Sequence, residues 1–479
     1  MLFNSGEFII FFPLVALLYF AIPYKWRWGL LLVASYYFYM CWKPEYIVLI
    51  IASTAIDYGT GLRMGRLKEK VRRRKYLILS LCTNLGLLFA FKYFNFFNDS
   101  ARAVFNQFNL FYGVPTFSVL LPVGISFYTF QTLSYSIDVY RGNREAESHF
   151  GIFALYVAFF PQLVAGPIER STHLLPQFLE KHEFDYIRVT NGLKRMAWGL
   201  FKKVVIADRL AVYVNQVYNN PTEYHGAHIW IATYFFAFQI FCDFSGYSDI
   251  AIGAAEVMGY RFMENFRRPY LAQSIAEFWK RWHISLSTWF RDYLYIPLGG
   301  NRVGKWRWYY NLFIVFVISG LWHGANWTFI IWGALHGFYL IFAILSAKTR
   351  RQFAARSGLD RFPIALAYIK RIITFHLVCF AWIFFRSNSV GDAFMLVGNL
   401  FHFDSFSNIP LTLDDSGMRI ALLTILAMEA FHFTQEKISV TRLVSKQHVA
   451  VRWACYFALL LSILIYGVFE ESAFIYFQF

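Results

Sequence analysis

Residues Trp327–Leu345 read WTFIIWGALHGFYLIFAIL, a run with no charged side chain. At 1.5 Å per residue a helix of this length covers about 30 Å, the thickness of a bilayer's hydrocarbon core. A soluble helix of the same length keeps a polar face, and this one offers water only Thr328 and His336. The stretch is therefore read as a membrane-spanning helix. Other apolar runs, several of them short for crossing alone, lie on both sides of it, at Phe8–Ile22, Trp28–Cys41, Tyr46–Ile56, Tyr76–Phe97, Phe117–Tyr140, Phe150–Val164, His228–Phe244, Leu312–Trp322, Ile364–Phe385, Met418–Phe433 and Trp453–Phe469. An all-α polytopic membrane protein with ten to thirteen crossings is expected.

Composition agrees. A soluble chain of 479 residues divides into roughly three domains of about 150 residues. Here 58% of residues are apolar and only 15% charged, with 55 Phe, too little charge to cover three soluble surfaces. The net charge of +16 suggests nucleic acid in a soluble protein, but loop topology accounts for it in a membrane protein. Cys41, Cys82, Cys242, Cys379 and Cys455 are odd in number and widely spaced, so they are read as packing residues and not as a disulfide framework or metal site. Met1–Glu7 has no basic region, and the first apolar run is read as a spanning helix and not as a cleavable signal.

Loop charge orients the spans. Arg63, Arg66, Lys68, Lys70, Arg72, Arg73, Arg74 and Lys75 face a single acid, Glu69, and place that loop in the cytoplasm. Counting from it puts Lys25–Arg27 and Arg141–Arg144 inside, and Met1 and Asp99–Pro115 outside. Lys437, Arg442, Lys446 and Arg452 mark another inside loop, which leaves Glu470 and Glu471 outside. No internal repeat or linker separates halves, so a single domain is expected over 1–479. It comprises N-terminal helices (1–165), a catalytic core with re-entrant segments (166–345) and C-terminal helices (346–479).

Polar groups inside apolar segments cost several kcal/mol each and mark where to look for function. Tyr128, Gln131, Tyr135 and Asp138 share one helical face, read either as a cavity wall or as interhelical hydrogen bonding. Gln239 and Asp243 share another, followed by Ser245, Gly246 and Tyr247; Gly246 can break the helix there. Asp243 needs a partner or a proton, which leaves site-lining and structural roles equally open. Ala272–Asp292 is amphipathic, with Phe278, Trp282, Leu286 and Trp289 at helical spacings, His283 beside them and an i,i+4 pair in Glu277 and Arg281. On periodicity alone it favours the membrane interface. His323 lies between glycines in Gly320–Asn326, where a histidine suits taking a proton from a hydroxyl. His336 is about 20 Å further along an unbroken helix and can share a site with His323 only if the Gly/Asn segment bends. No H-E-x-x-H, P-loop or G-x-S-x-G motif is present. Among the reactions weighed, general-base acyl transfer fits best.

The runs Arg281–Asp292 (RWHISLSTWFRD) and Gly320–Asn326 (GLWHGAN) closely resemble those of the membrane-bound O-acyltransferase family. Leu121–Tyr128, Gly166-Pro167, Asp243–Asp249, Phe262–Phe266 and Phe474–Phe479 extend the likeness along nearly the whole chain. The nearest branch looks like the bacterial alginate O-acetyltransferases; the teichoic-acid D-alanyltransferases are more distant. The resemblance implies a fold with a central tunnel joining the two membrane faces, in a multi-pass protein of the bacterial inner membrane. His323 matches the family's essential histidine and His283 the second motif position, and His336 fits the following W-G-x-x-H-G element. Asn326, Asp243, Ser245, Tyr247, Trp279, Arg281, Trp282, Ser287, Trp289, Gln131 and Tyr128 are the expected tunnel or substrate-lining residues. Ala272–Asp292 accordingly moves from the interface to the tunnel wall.

The resemblance further implies acetyl-CoA as a cytoplasmic donor, with no permanently bound cofactor or metal. His323 is the base, and His283 orients the donor or stabilises the oxyanion. Lys202, Lys203, Arg267, Arg268, Lys280 and Arg281 are candidates for the donor's phosphates, although topology explains most of them as well. An extracytoplasmic esterase-like acyltransferase partner and a polysaccharide acceptor are the expected partners. Transfer of D-alanine or another acyl group to a cell-wall polymer stays open, as do a transporter and a structural assembly subunit.

Overall fold

The computed structural model describes residues 1–117, 121–164, 166–402, 413–438, 440–469 and 474–475, so Glu470, Glu471 and residues 476–479 lie outside the described residues. Helices and the turns between them account for the described residues, without a strand. Among the described residues, seven helices are long and apolar enough to cross a membrane: Pro44–Arg66, Lys70–Gln107, Ala227–Met258, Trp327–Leu345, Pro363–Arg386, Asp415–Glu436 and Val449–Tyr466. The other expected crossings are helices that are shorter or less apolar, such as Gly6–Ala21, Tyr24–Met40, Ile125–Arg141 and Lys305–His323.

Two expected elements differ in detail. Phe150–Val164 is not one span: the helix Phe150–Ala158 stops at Phe159, and a short turn Phe160–Leu163 follows. Pro161 explains the break, because its ring is tolerated in a first turn and not in a helix interior. Gly246 does not break its helix, which runs unbroken over Ala227–Met258. Its missing side chain serves a close approach instead, since a Cβ there would lie 2.7 Å from the Gly199 carbonyl oxygen.

The chain divides into two compact units, Met1–Met196 with Ile250–Met263, and Ala197–Asp249 with Glu264–Phe479. In the first unit two members of the polar face of Ile125–Arg141 hydrogen-bond to backbone groups of neighbouring segments. Gln131 donates to the Tyr156 carbonyl (2.6 Å), and the Tyr135 hydroxyl accepts from the Glu147 amide (2.9 Å). A second polar cluster centres on fully buried Asp57, which accepts from Ser80 Oγ (2.5 Å) and Asn84 Nδ2 (2.8 Å). Thr132 donates to Asn84 Oδ1 (3.0 Å). Buried Glu169 accepts from the Met263 amide (2.6 Å) and meets His173 Nδ1 at 2.7 Å.

In the second unit Lys305–His323 and Trp327–Leu345 form a tight hairpin. A Cβ on Gly320 would fall on the Phe329 carbonyl oxygen, and one on Gly333 on that of Phe316. The two helix backbones touch where only glycine fits, as membrane helices do at small-residue contacts. Cys242 and Cys379 are buried, whereas Cys41, Cys82 and Cys455 are exposed and so are not core packing residues; all five are free.

Candidate active site

His323 is the last residue of the helix Lys305–His323. Gly324 then turns extended, and Asn326 caps the next helix by accepting from the Thr328 amide (3.0 Å). The chain reverses between the two histidines. His323 is 2% exposed, and its ring meets Trp322 (4.9 Å between centroids), Trp332 (5.0 Å) and Phe385 (5.5 Å) edge-on. The same Trp332 lies 5.1 Å from His336. The Gly/Asn bend that the sequence allowed is therefore present, and both imidazoles pack on one indole.

Ala272–Asp292 is not a single amphipathic helix. It forms Ile275–Arg281 and Ile284–Phe290, separated at His283, whose backbone is left-handed (φ 42°, ψ 55°). This conformation is uncommon for a residue other than glycine and is held here by the surrounding backbone bonds. The Asn265 carbonyl accepts from the Ile284 amide (2.9 Å), and the Arg281 carbonyl from the Arg267 amide (2.9 Å). The His283 ring is fully buried against Phe244 (4.6 Å) and faces Trp322 at 6.2 Å. His283 lies outside the seven apolar helices, and burial pushes its imidazole down to about 3, so the ring is neutral at physiological pH.

His336 is fully buried, and its Nδ1 accepts from Trp279 Nε1 (3.2 Å). Because an indole nitrogen only donates, the neutral His336 ring carries its proton on Nε2. Trp282 packs between Phe278 (5.5 Å) and Trp382 (5.2 Å). Ser287 donates to the Trp282 carbonyl (3.3 Å), and Trp289 is buried against Tyr293 (5.1 Å). Arg281 holds Glu277 at 2.6 Å, as the i,i+4 spacing predicts, and reaches Glu436 at 3.9 Å. Asn326 uses its oxygen for the cap and its amide for the Asn388 carbonyl (3.1 Å). Gln131 and Tyr128 belong to the first unit, where both are buried.

The Asp243 partner is Lys203 (2.7 Å), which also holds Asp208 (2.8 Å). Burial works against the Lys203 ammonium, but Asp243 and Asp208 outweigh it and raise its proton affinity. Asp243 also accepts from the Ile475 amide (2.8 Å), and Phe474 packs tilted on Tyr247 (4.4 Å), so Asp243 and Tyr247 hold residues 474–475 to the unit. Lys202 donates to Ser245 (2.8 Å) and Asp249 (2.6 Å). Both lysines are buried on carboxylates, which corrects the expectation that they attract donor phosphates. Exposed Lys280 and half-buried Arg268 remain candidates for that task. Asn265 was missed as a functional residue by sequence reasoning; its only signal was its place in the Phe262–Phe266 motif.

Comparison with known proteins identifies the family. Residues 146–387 match the sequence model of the MBOAT, membrane-bound O-acyltransferase family. The chain is 42% identical over 431 residues to the probable alginate O-acetylase AlgI of Pseudomonas putida, covering 89% of this chain and 85% of that one. It is 36% identical to the peptidoglycan O-acetyltransferase of Helicobacter pylori (82% of this chain, 78% of that one). To the teichoic acid D-alanyltransferase of Bacillus subtilis it is 28% identical (57% and 70%). A polytopic helical chain with buried histidines at its motif positions, matched in this way, belongs to the membrane-bound O-acyltransferase family and is an O-acyltransferase.

Proposed function

We propose that this enzyme takes an acetyl group from cytoplasmic acetyl-CoA and delivers it for O-acetylation of an extracytoplasmic polysaccharide, directly or through an esterase-like acyltransferase partner outside the membrane. The bacterial inner membrane is the corresponding location. The observation that carries this reading is the pairing of His323 and His283 on one indole, Trp322, at 4.9 and 6.2 Å. His323 withdraws the proton from the acceptor hydroxyl as its oxygen attacks the thioester carbonyl. The carbon–sulfur bond then breaks, and the leaving thiolate takes the proton from the imidazolium. Positioned base catalysis of this kind contributes about 10²–10⁴-fold. His283 is the second group that meets the substrates, and Arg268 and Lys280 attract the donor's phosphates.

The relatives named as O-acetyl-transferring enzymes match more of the chain, at higher identity, than the D-alanyltransferase does, which supports acetyl over D-alanine. Family membership sets aside the transporter reading. The test is release of free thiol from acetyl-CoA by the purified protein, with and without an acceptor. Acetyl-CoA turnover abolished in His323→Ala at normal membrane abundance supports the proposal, and turnover of a D-alanyl thioester but not of acetyl-CoA contradicts it.

A further inference from the structure

Both ends of the Asn265 carboxamide are engaged, and their use determines the chemistry of a neighbouring ring. Asn265 is 1% exposed. Its Oδ1 accepts from the Ser285 amide (3.3 Å) and from Ser285 Oγ (3.0 Å), and it lies 3.1 Å from His283 Nδ1. Its Nδ2 donates to Ser248 Oγ (3.2 Å). A backbone amide can only donate, so the atom facing Ser285 N is the carboxamide oxygen and not the nitrogen. The hydrogen between that oxygen and His283 must then come from the imidazole. The neutral His283 ring carries its proton on Nδ1 and presents a lone pair at Nε2.

We propose that Asn265 is a positioning residue that locks His283 into the Nδ1–H tautomer, so that His283 serves the substrates as an acceptor at Nε2, receiving an N–H or O–H, and not as an oxyanion donor. This rests on the placement of His283 in the active site. Of the two roles open to His283, orienting the donor agrees with an acceptor. Stabilising an oxyanion does not, because that needs a second proton on a fully buried ring packed against Phe244, Phe266 and Trp322. The lock has two parts. The side chain of Asn265 fixes the ring, and its carbonyl, accepting from Ile284, holds the left-handed backbone that turns the ring inward.

The experiment is a double-mutant cycle on the full-length protein in detergent or nanodiscs, read as thiol release from acetyl-CoA. Asn265→Leu removes the acceptor at nearly constant size, and Asn265→Asp keeps an acceptor oxygen at the same place while exchanging the Nδ2 donor to Ser248 for a second, acidic oxygen. Hydrogen-bond partners that orient a functional histidine are worth about 10–100-fold, so Asn265→Leu is expected to lower kcat/KM by that factor, and Asn265→Asp to recover most of it. In a His283→Gln background Asn265→Leu is expected to cost less than about twofold, because coupled residues do not add. An equal loss in both backgrounds, or no loss at all, overturns the proposal. Where His283→Gln is too slow to compare, NMR of nitrogen-labelled histidine decides. The signal lost in His283→Gln must be a ring protonated on Nδ1, and one protonated on Nε2 overturns the lock. Full activity of His283→Gln and His323→Ala would instead overturn the active-site reading itself.

Discussion

His283 and His323 meet the same side chain: the Trp322 indole lies 6.2 Å from one imidazole and 4.9 Å from the other. Residues 40 positions apart in sequence are thereby referenced to one rigid aromatic surface. A misplacement of about 1 Å in such a site costs on the order of a hundredfold in rate. Trp322→Ala is therefore expected to lower thiol release from acetyl-CoA by about that factor, and Trp322→Phe to lose less. The check is turnover at matched membrane abundance, and equal rates for the two variants would count against the shared reference.

Lys203 pairs with both Asp243 and Asp208 in a buried cluster. Removing one partner of such a cluster leaves an uncompensated charge and costs about 3–5 kcal/mol. Lys203→Met is expected to lower the midpoint of thermal unfolding in detergent by several degrees. Combining it with Asp243→Asn should give less than the sum of the two single losses.

The hairpin that presents His323 depends on glycine. A Cβ on Gly320 collides with the Phe329 carbonyl, which is backbone and cannot swing away. Gly320→Ala is expected to reduce both abundance and turnover, whereas Gly86→Ala, with open space around it, should leave both unchanged. Membrane abundance by quantitative blotting, alongside turnover, checks this.

A pH dependence of stability is built in at Glu169 and His173. The hydrogen bond that His173 donates to Glu169 raises the His173 proton affinity above its ordinary value, and burial raises that of Glu169. Both groups hold a proton more tightly folded than unfolded. Their contribution is fully present below the unfolded pKa values and is lost as pH rises through the folded ones, for His173 from about pH 6.5 upward. Unfolding midpoints measured from pH 6 to 8 should fall more steeply in the unsubstituted protein than in His173→Gln. Parallel curves would contradict the assignment.

Much of this was legible in the sequence because lipid imposes strong rules. Long apolar runs became helices, and the Glu277–Arg281 spacing became an ion pair. The Gly324–Asn326 segment bent as its residues allowed, with Asn326 as the cap. The break at His283 carried no glycine or proline to announce it, since the backbone there is held from Asn265, 18 positions away. For the same reason the partners of Lys202, Lys203 and Asp57 were not readable: each is chosen by helix packing and not by local spacing. Gly246 shows the converse, because a glycine permits either a helix break or a close contact, and only the neighbouring Gly199 decides which.

The central claim is that the His323 imidazole takes the acceptor's proton so that an acyl thioester is cleaved. It is tested most directly by single-turnover transfer from radiolabelled acetyl-CoA in His323→Ala, with binding of acetyl-CoA measured on the same preparation. The account predicts that binding is retained and that transfer falls by about 10²–10⁴-fold. Transfer at the unsubstituted rate in a folded, binding-competent His323→Ala protein would contradict it.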